Sequence, residues 1–327
     1  MFSRLINRLR GRYARLDEQD IERAIDIAVE ETDPRLRFVR GFRSKLRKPV
    51  VRSLVYVEDL VTRIPGPFEI SRKAYGSNPQ VNALFGSADD VEPLFARNKM
   101  LQDFFRDTPG CDRVYVPFAM HRQEKRILSM VLSGDIVRRD VARTAVNFSG
   151  HRLGIVCAES ADELRSKLKW RGIQTLAVTA LENITRLKTR SSVLEEERAL
   201  LKRKLDDVQA QHAGLEAVAG VPSEDAQEVR VLEQRLKDTR EKLQEVRTGV
   251  ATLVDYLDQV CQVLNHPSRH LRVRRNSVTV DRMGIKLDGM SHGQGGKVFS
   301  ATLTIGTHPD FELILASFQR NGMSTTP

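Results

Sequence analysis

The residues that come nearest to catalytic chemistry lie in one stretch, Gly289-Met290-Ser291-His292-Gly293, which matches the G-x-S-x-G pattern. That pattern makes a nucleophile where a strand, a sharp turn and a helix lift the serine above a sheet. Here a strand-like run precedes it, but Gly295-Gly296 and a second strand-like run follow, with no helix. The only His and Asp downstream, His308 and Asp310, come in the reverse of the order that chemistry uses. The stretch reads as a hairpin loop. Gly296-Lys297 is not a phosphate-binding loop, since Ser291 stands where the first Gly belongs and Val298 where Ser or Thr belongs. Cys261, His266 and His270 have a spacing suggestive of a metal site, but Pro267 breaks any shared helical face and a fourth ligand is missing. Cys261 reads as helix packing. The sequence therefore nominates no catalytic, cofactor-binding or metal-binding residue, and an enzyme is the least favoured class.

What remains is charge and helix. The 327 residues carry a formal net charge of +10, with 29% charged and 40% hydrophobic residues. A basic balance makes an anionic partner plausible without choosing one. Basic clusters fall at 2–16, 35–48 and 269–275. Within the last two, Arg40, Arg43, Arg47, Arg272, Arg274 and Arg275 are the candidate anion-binding residues. Aromatics are only 6%, and Trp170, between Lys169 and Arg171, is the one residue placed for base stacking. Cys111, Cys157 and Cys261 are odd in number and far apart, which fits a reducing compartment better than a disulfide framework. No apolar run approaches the ~20 residues of a membrane span. The expected location is cytoplasmic, with the inner membrane face as the alternative.

The element that organises the chain runs from Val229 to Leu264. Val229, Leu232, Leu236, Thr239, Leu243, Val246, Val250, Leu253, Leu257, Val260 and Leu264 alternate steps of three and four, the a/d pattern of a helix packed along a narrow seam. An earlier stretch supplies a partner. Ser160-Ala161-Asp162-Glu163 fits a capping box and opens a long helix. Along it Ile173, Ala180, Leu187, Leu194, Leu201, Val208 and Leu215 recur every seven residues, while the second seam (Ile184, Ser191, Arg198, Leu205, His212) is poorer. Gly172 and Gly214 are weak points of this helix. Gly220-Val221-Pro222 ends it and Ser223 caps the next. The spacing predicts an antiparallel coiled-coil hairpin with its turn near 220–223. Symmetry about Pro222 sets Leu215 against Val229, Val208 against Leu236, Leu201 against Leu243, Leu194 against Val250 and Leu187 against Leu257. Registers seven apart match equally well by pattern, and the turn chemistry selects this one.

Before the hairpin, residues 2–16 read as a basic amphipathic helix and 20–32 as a second. Asp33-Pro34 opens a third, and Pro49 a fourth whose Val50, Leu54, Val55, Val57, Leu60, Val61 and Ile64 make it the centre of a bundle. Short helices follow at 79–85, 88–97 and 99–106. Val114–Phe118, Arg126–Leu132, Ile136-Val137 and Thr144–Phe148 read as a small meander with solvated basic side chains. Four or five short strands follow Pro267.

The run Gly134-Asp135-Ile136-Val137-Arg138-Arg139-Asp140-Val141, then Ala145-Val146-Asn147-Phe148 and a long helix, resembles functionally uncharacterised proteobacterial coiled-coil proteins. The resemblance implies no activity.

The expected fold class is α+β, mainly α. An N-terminal helical domain (1–110) carries a β-meander (111–158). The coiled-coil hairpin (159–266), a small antiparallel β-module (267–320) and a disordered tail (321–327) follow. The expected function is a non-enzymatic scaffold or adaptor that binds a protein partner or a second copy through the hairpin. The alternative is a peripheral protein on nucleic acid or an anionic membrane, held by the basic segments.

Overall fold

The computed structural model describes residues 16–96, 98–133, 136–219, 226–249, 251–287 and 295–320. The expected helix at 2–16, the Gly220–Ser223 turn with its fold point Pro222, the Gly289–Gly293 loop and the tail at 321–327 lie outside them. In chain order the described elements are α1 (Glu18–Glu30), a 3-10 turn (Pro34–Phe38), α2 (Phe42–Thr62), β1 (Phe68–Glu69), α3 (Arg72–Ser77), α4 (Pro79–Leu84), α5 (Pro93–Ala96) and α6 (Lys99–Asp107). Then come β2 (Arg113–Ser133), β3 (Ile136–Leu153), α7 (Ala161–Ala219), α8 (Ala226–Arg247), α9 (Leu253–Asn265), β4 (Leu271–Val280), β5 (Gly296–Ile305) and β6 (Phe311–Gln319). The fold is mixed α and β, with an antiparallel sheet and one 59-residue helix.

Two compact units divide the chain. The first takes the described residues of Ser53–Ile173 and Pro267–Pro327 and is built on the sheet. Strand order is β3-β2-β6-β5-β4, and the short β1 pairs parallel to β6. The expected meander and the expected C-terminal module are thus parts of one sheet, joined where β2 runs antiparallel to β6 from Arg113↔Gln319 to Met120↔Glu312. The joining pair can bury apolar side chains on both faces, which neither β piece could do alone. The meander is itself one long hairpin, because β2 and β3 pair from Phe118↔Leu153 out to Ser133↔Ile136, with register shifts between Ala119 and His121 and between Ser129 and Val131. On one face Val116, Phe118, Met120, Phe148, Val278, Val298, Ile314 and Phe318 pack with Val81, Leu84, Phe95, Leu101 and Phe105 from α4–α6. On the other face Ala301, Leu313 and Leu315 are buried as well.

α7 begins as expected: the Ser160 hydroxyl accepts from the Glu163 backbone N–H (3.2 Å), and the Glu163 carboxylate reaches back to the Glu159 N–H (2.9 Å). Gly172 is no break in this helix. A Cβ there would stand 2.5 Å from Val57 Cγ1, so the missing side chain is what lets α7 approach α2. Trp170 is buried (8% exposed) with Lys169 over its ring, contrary to the expected exposed stacking residue. The side chains of 165–169 are used internally: Arg165 donates to the Gly66 carbonyl, Lys167 to the Cys157 carbonyl, and Lys169 pairs with Glu58.

The second unit takes the described residues of Arg15–Arg52 and Gln174–His266. Asp33 caps its turn as expected, accepting from the Arg35 N–H, but only the 3-10 segment follows. Gly41, at φ +73°, then turns the chain into α2, which runs through Pro49 instead of starting there. Proline has no N–H for the carbonyl four residues back. That carbonyl, on Lys45, faces the Cys261 thiol at 3.8 Å.

The heptad helix also differs from expectation. It is interrupted between Arg247 and Leu253, and α9 restarts with a reciprocal capping box between Thr252 and Asp255. Gly249, with Thr248 and Thr252 of low helix propensity, weakens that point, and the cap offers the backbone a better alternative. On either side the a/d positions are buried: Leu232, Leu236, Thr239, Leu243 and Val246 in α8, then Leu257, Val260 and Leu264 in α9. Leu194 shares a cluster with Leu243 and Val246, and Leu201 with Leu232 and Leu236. The pairing expected about Pro222 set Leu201 against Leu243, so the register lies one heptad away. A strict seven-residue repeat is degenerate under that slide.

Candidate functional site

Two features of this molecule combine exposed or buried chemistry with a defined position: a polar cleft on the sheet, and the solvent face of α7.

The cleft is made by the sheet face that carries the core. Alternate residues of a strand share a face, so the apolar set on each strand continues outward in the same file. Phe118 and Met120 are followed by Arg122 and Glu124, Ile314 is preceded by Glu312, Val298 is followed by Ser300 and Thr302, and Val278 is preceded by Asn276 and Arg274. Register lines these up, with Met120 opposite Glu312, Glu312 opposite Thr302, and Thr302 opposite Arg274. The result is a cleft of about 670 Å³ lined by Arg122, Glu124, Arg274, Arg275, Asn276, Thr302, Asp310, Phe311 and Glu312.

Glu312 is its unusual member. It is 7% exposed, and its Oε1 accepts from Thr302 Oγ1 (2.8 Å) and Asn276 Nδ2 (3.4 Å). Its Oε2 is buried with no hydrogen-bond partner. A buried acceptor left unpaired costs roughly 1–3 kcal/mol, more when the group is ionised. Glu312→Gln keeps the Oε1 acceptor and removes the buried charge. The variant is expected to be more stable by about 1 kcal/mol, read as a rise of ~2–4 °C in the melting temperature. A fall of the same size would mean that the carboxylate is held by a donor not visible in this arrangement.

Of the candidate anion-binding residues, Arg274 and Arg275 line the cleft, with Arg275 over the Phe299 ring at 5.6 Å, and Arg272 is exposed on β4. Arg43 pairs with Glu22 and Asp26 of α1, and Arg47 with Glu18. Their charge is answered within the second unit, and Arg40 is exposed at the turn before α2. Sequence reading found Arg274 and Arg275 from their charge. It missed Glu312 and Thr302, whose only signal was two polar residues in otherwise apolar strands.

Nearby, His151 stacks on Phe85 (4.9 Å between ring centres) and Phe118 (5.5 Å), and its Nε2 lies 2.7 Å from the Leu84 carbonyl. Burial pushes its pKa below the ordinary histidine value, the carbonyl opposing in part. A depressed histidine pKa means that the unfolded chain binds the proton more tightly. Stability is therefore full above the ordinary value near 6.5 and is lost as pH falls from there toward the folded value. Urea midpoints should drop between pH 7.5 and 5.5, and His151→Phe should flatten that dependence. The burial of Cys157 and Cys261 raises both thiols to about 11, which removes thiolate reactivity at neutral pH. Among the described residues no group of three or more His, Cys, Asp or Glu is placed to hold a metal ion.

On α7 the residues toward α8 are the buried or half-buried ones: Ile184, Leu187, Ser191, Leu194, Arg198, Leu201, Leu205 and Val208. Ser191 and Arg198 therefore sit on the packed side, with Arg198 beside Arg240, Leu243 and Arg247. Arg247 in turn pairs with Glu195 at 2.6 Å. Of the expected seam residues, Leu194, Leu201, Leu236, Leu243 and Leu257 are buried, while Leu187, Val208 and Val229 are half-buried. The surroundings of Leu215 and Val250 lie outside the described residues. Val178, Leu181, Val193 and Leu200, outside that packed side, are exposed at 37–56%.

Comparison with protein-family models, with curated proteins and with solved structures finds no match to this chain. No described helix is long and apolar enough to cross a membrane.

Proposed function

We propose that this protein is a non-enzymatic cytoplasmic scaffold whose long helix, folded with α8 and α9 as an antiparallel coiled-coil hairpin, engages a second copy of the chain. The observation that supports the reading is the exposed apolar side chains of α7: one file is covered by α8, while Val178, Leu181, Val193 and Leu200 lie outside it and are bare. Large apolar side chains on a helix are stabilising when a partner helix covers them.

Charge order favours a second copy of α7. Arg186 and Arg190 precede the acidic run Glu195-Glu196-Glu197. Two copies meeting antiparallel about the Arg190–Ser191 bond would set Leu181 against Leu200 and Arg186 beside Glu195 and Glu196. Opposite charges across such a seam choose orientation and partner.

The test is molar mass by light scattering across 1–50 µM for the full chain and for Leu181→Glu/Val193→Glu/Leu200→Glu. The expected result is a dimer for the native chain and a monomer for the variant. A native chain of monomer mass at every concentration sinks the self-association reading. If pull-downs then retain a partner that the variant loses, the same surface belongs to an adaptor.

A further inference from the structure

The polar cleft of the sheet has charged sides that do not meet. Along the register Glu312 of β6 stands opposite Thr302 of β5, and Thr302 opposite Arg274 of β4. Neighbouring strands lie ~4.8 Å apart, so the carboxylate and the arginine start from backbones about 10 Å from each other, with a hydroxyl between them. Arg274 and Asp310 are exposed and make no ion pair among the described residues. Glu312 has Thr302 and Asn276 on its Oε1 and no donor for its Oε2. A buried polar atom without a partner is rare in a folded protein and calls for a cause.

The charges that line the cleft balance. Arg122, Arg274 and Arg275 stand against Glu124, Asp310 and Glu312. Arg122 and Glu124 are committed to each other, and Arg275 lies over the Phe299 ring. What is left is an acidic side at the start of β6, Asp310 and Glu312, and a cationic side on β4, Arg274. A simple anion here would meet two carboxyl groups, and a simple cation would meet the arginines, and like charges brought together disfavour the charged forms. A nucleic-acid backbone, negative at every phosphate, would meet the same acidic side. A ligand that is positive at one end and negative at the other answers both sides at once.

We propose that this cleft binds a small zwitterion of the ω-amino acid class, with its ammonium on Glu312 and Asp310 and its carboxylate on Arg274. Charge-assisted hydrogen bonds of ~2.8 Å at the two ends leave roughly 4 Å between the ligand's charged groups, the span of about two or three methylenes. The guanidinium fork of Arg274 matches a carboxylate in shape as well as charge. Glu312 is held in place by Thr302, and the soft torsion of its carboxyl group lets the oxygen without a donor turn toward the ammonium. Phe311, half-buried in the cleft wall, offers the methylenes an apolar surface. All these residues belong to the sheet unit, so the proposal is independent of self-association through α7.

The experiment is isothermal titration of the full chain with glycine, β-alanine, γ-aminobutyrate and 6-aminohexanoate. Butyrate, butylamine and inorganic phosphate serve as probes with charge of one sign. Arg274→Gln and Glu312→Gln remove the two ends of the site. Arg272→Gln, exposed on the same strand but outside the cleft lining, is the control. Circular dichroism verifies the fold of each variant. The expected result is tightest binding for β-alanine or γ-aminobutyrate, at least tenfold tighter than for butyrate or butylamine. Either cleft variant should weaken it at least tenfold, and Arg272→Gln should leave it unchanged. Absence of heat with all four amino acids up to about 20 mM overturns the proposal, as does binding that survives both cleft variants or falls equally in Arg272→Gln. Phosphate bound more tightly than γ-aminobutyrate, and lost only in Arg274→Gln, would overturn it in favour of a plain anion site. Butylamine bound as tightly as γ-aminobutyrate would overturn it in favour of a plain cation site.

Discussion

Replacing Phe118 with alanine should cost the sheet unit about 4 kcal/mol, the upper part of the range for deleting a buried aromatic ring. Phe118 is fully buried, where β2 lies between β3 and β6, paired with Leu153 on one side and Ile314 on the other. Its ring is 6.0 Å from that of Phe85 and 5.5 Å from that of His151. The cavity left by alanine would be walled by three different strands and by the segment after α4, none of which can collapse into it without breaking the ladder. Phe118→Leu, which refills most of the volume, should cost only about 1–2 kcal/mol. The readout is built in, because Trp170 is the single tryptophan and belongs to this unit. Denaturant titration followed by its fluorescence reports the unit directly. A loss below about 1 kcal/mol for the alanine variant would contradict a tightly packed site.

The second large effect is expected from Gly66→Ala. Gly66 has φ +110°, outside the range that L side chains favour, and an added Cβ would stand 2.3 Å from the Leu315 carbonyl oxygen. That oxygen belongs to β6, and the neighbouring Pro65 carbonyl accepts the Leu315 N–H at 2.8 Å. The obstacle is backbone on both sides, so no rotamer change can relieve it. We expect a loss of about 3 kcal/mol or more, combining backbone strain with a broken anchor between the end of α2 and the central strand. Gly41 is the control. Its φ is +73°, but a Cβ there meets nothing within 4 Å. Gly41→Ala should cost only about 1–2 kcal/mol, the conformational part alone. Equal losses at the two glycines would show that the contact with Leu315 does not matter.

Both residues were legible in the sequence only as types: Phe118 as part of a strand-like run, and Gly66 as part of Pro65-Gly66-Pro67. Their weight comes from β6, some 200–250 residues away along the chain. The same holds for Glu312, whose partners Thr302 and Asn276 lie on two other strands.

Residue order alone settles what one element can decide without the others. The three-and-four spacing of Leu232, Leu236, Thr239, Leu243 and Val246 placed those residues on the buried side. The caps at Asp33 and Ser160 gave true starts, and the apolar circumference of 50–64 marked a buried helix. These signals arise from periodicity and from hydrogen bonds within a few residues, so they survive whatever the rest of the chain does. Tertiary structure decided the rest. It joined two separate strand groups into one sheet, because the pairing of β2 with β6 depends on which apolar faces cover each other. It carried α2 through Pro49 and buried Trp170 beside Lys169. It also chose, between heptad registers that the seven-residue repeat leaves equal, the one that puts Leu194 against Leu243 and Leu201 against Leu236. A repeat fixes which residues face inward. Which residues they meet is fixed by packing, through contacts that the repeat itself cannot tell apart.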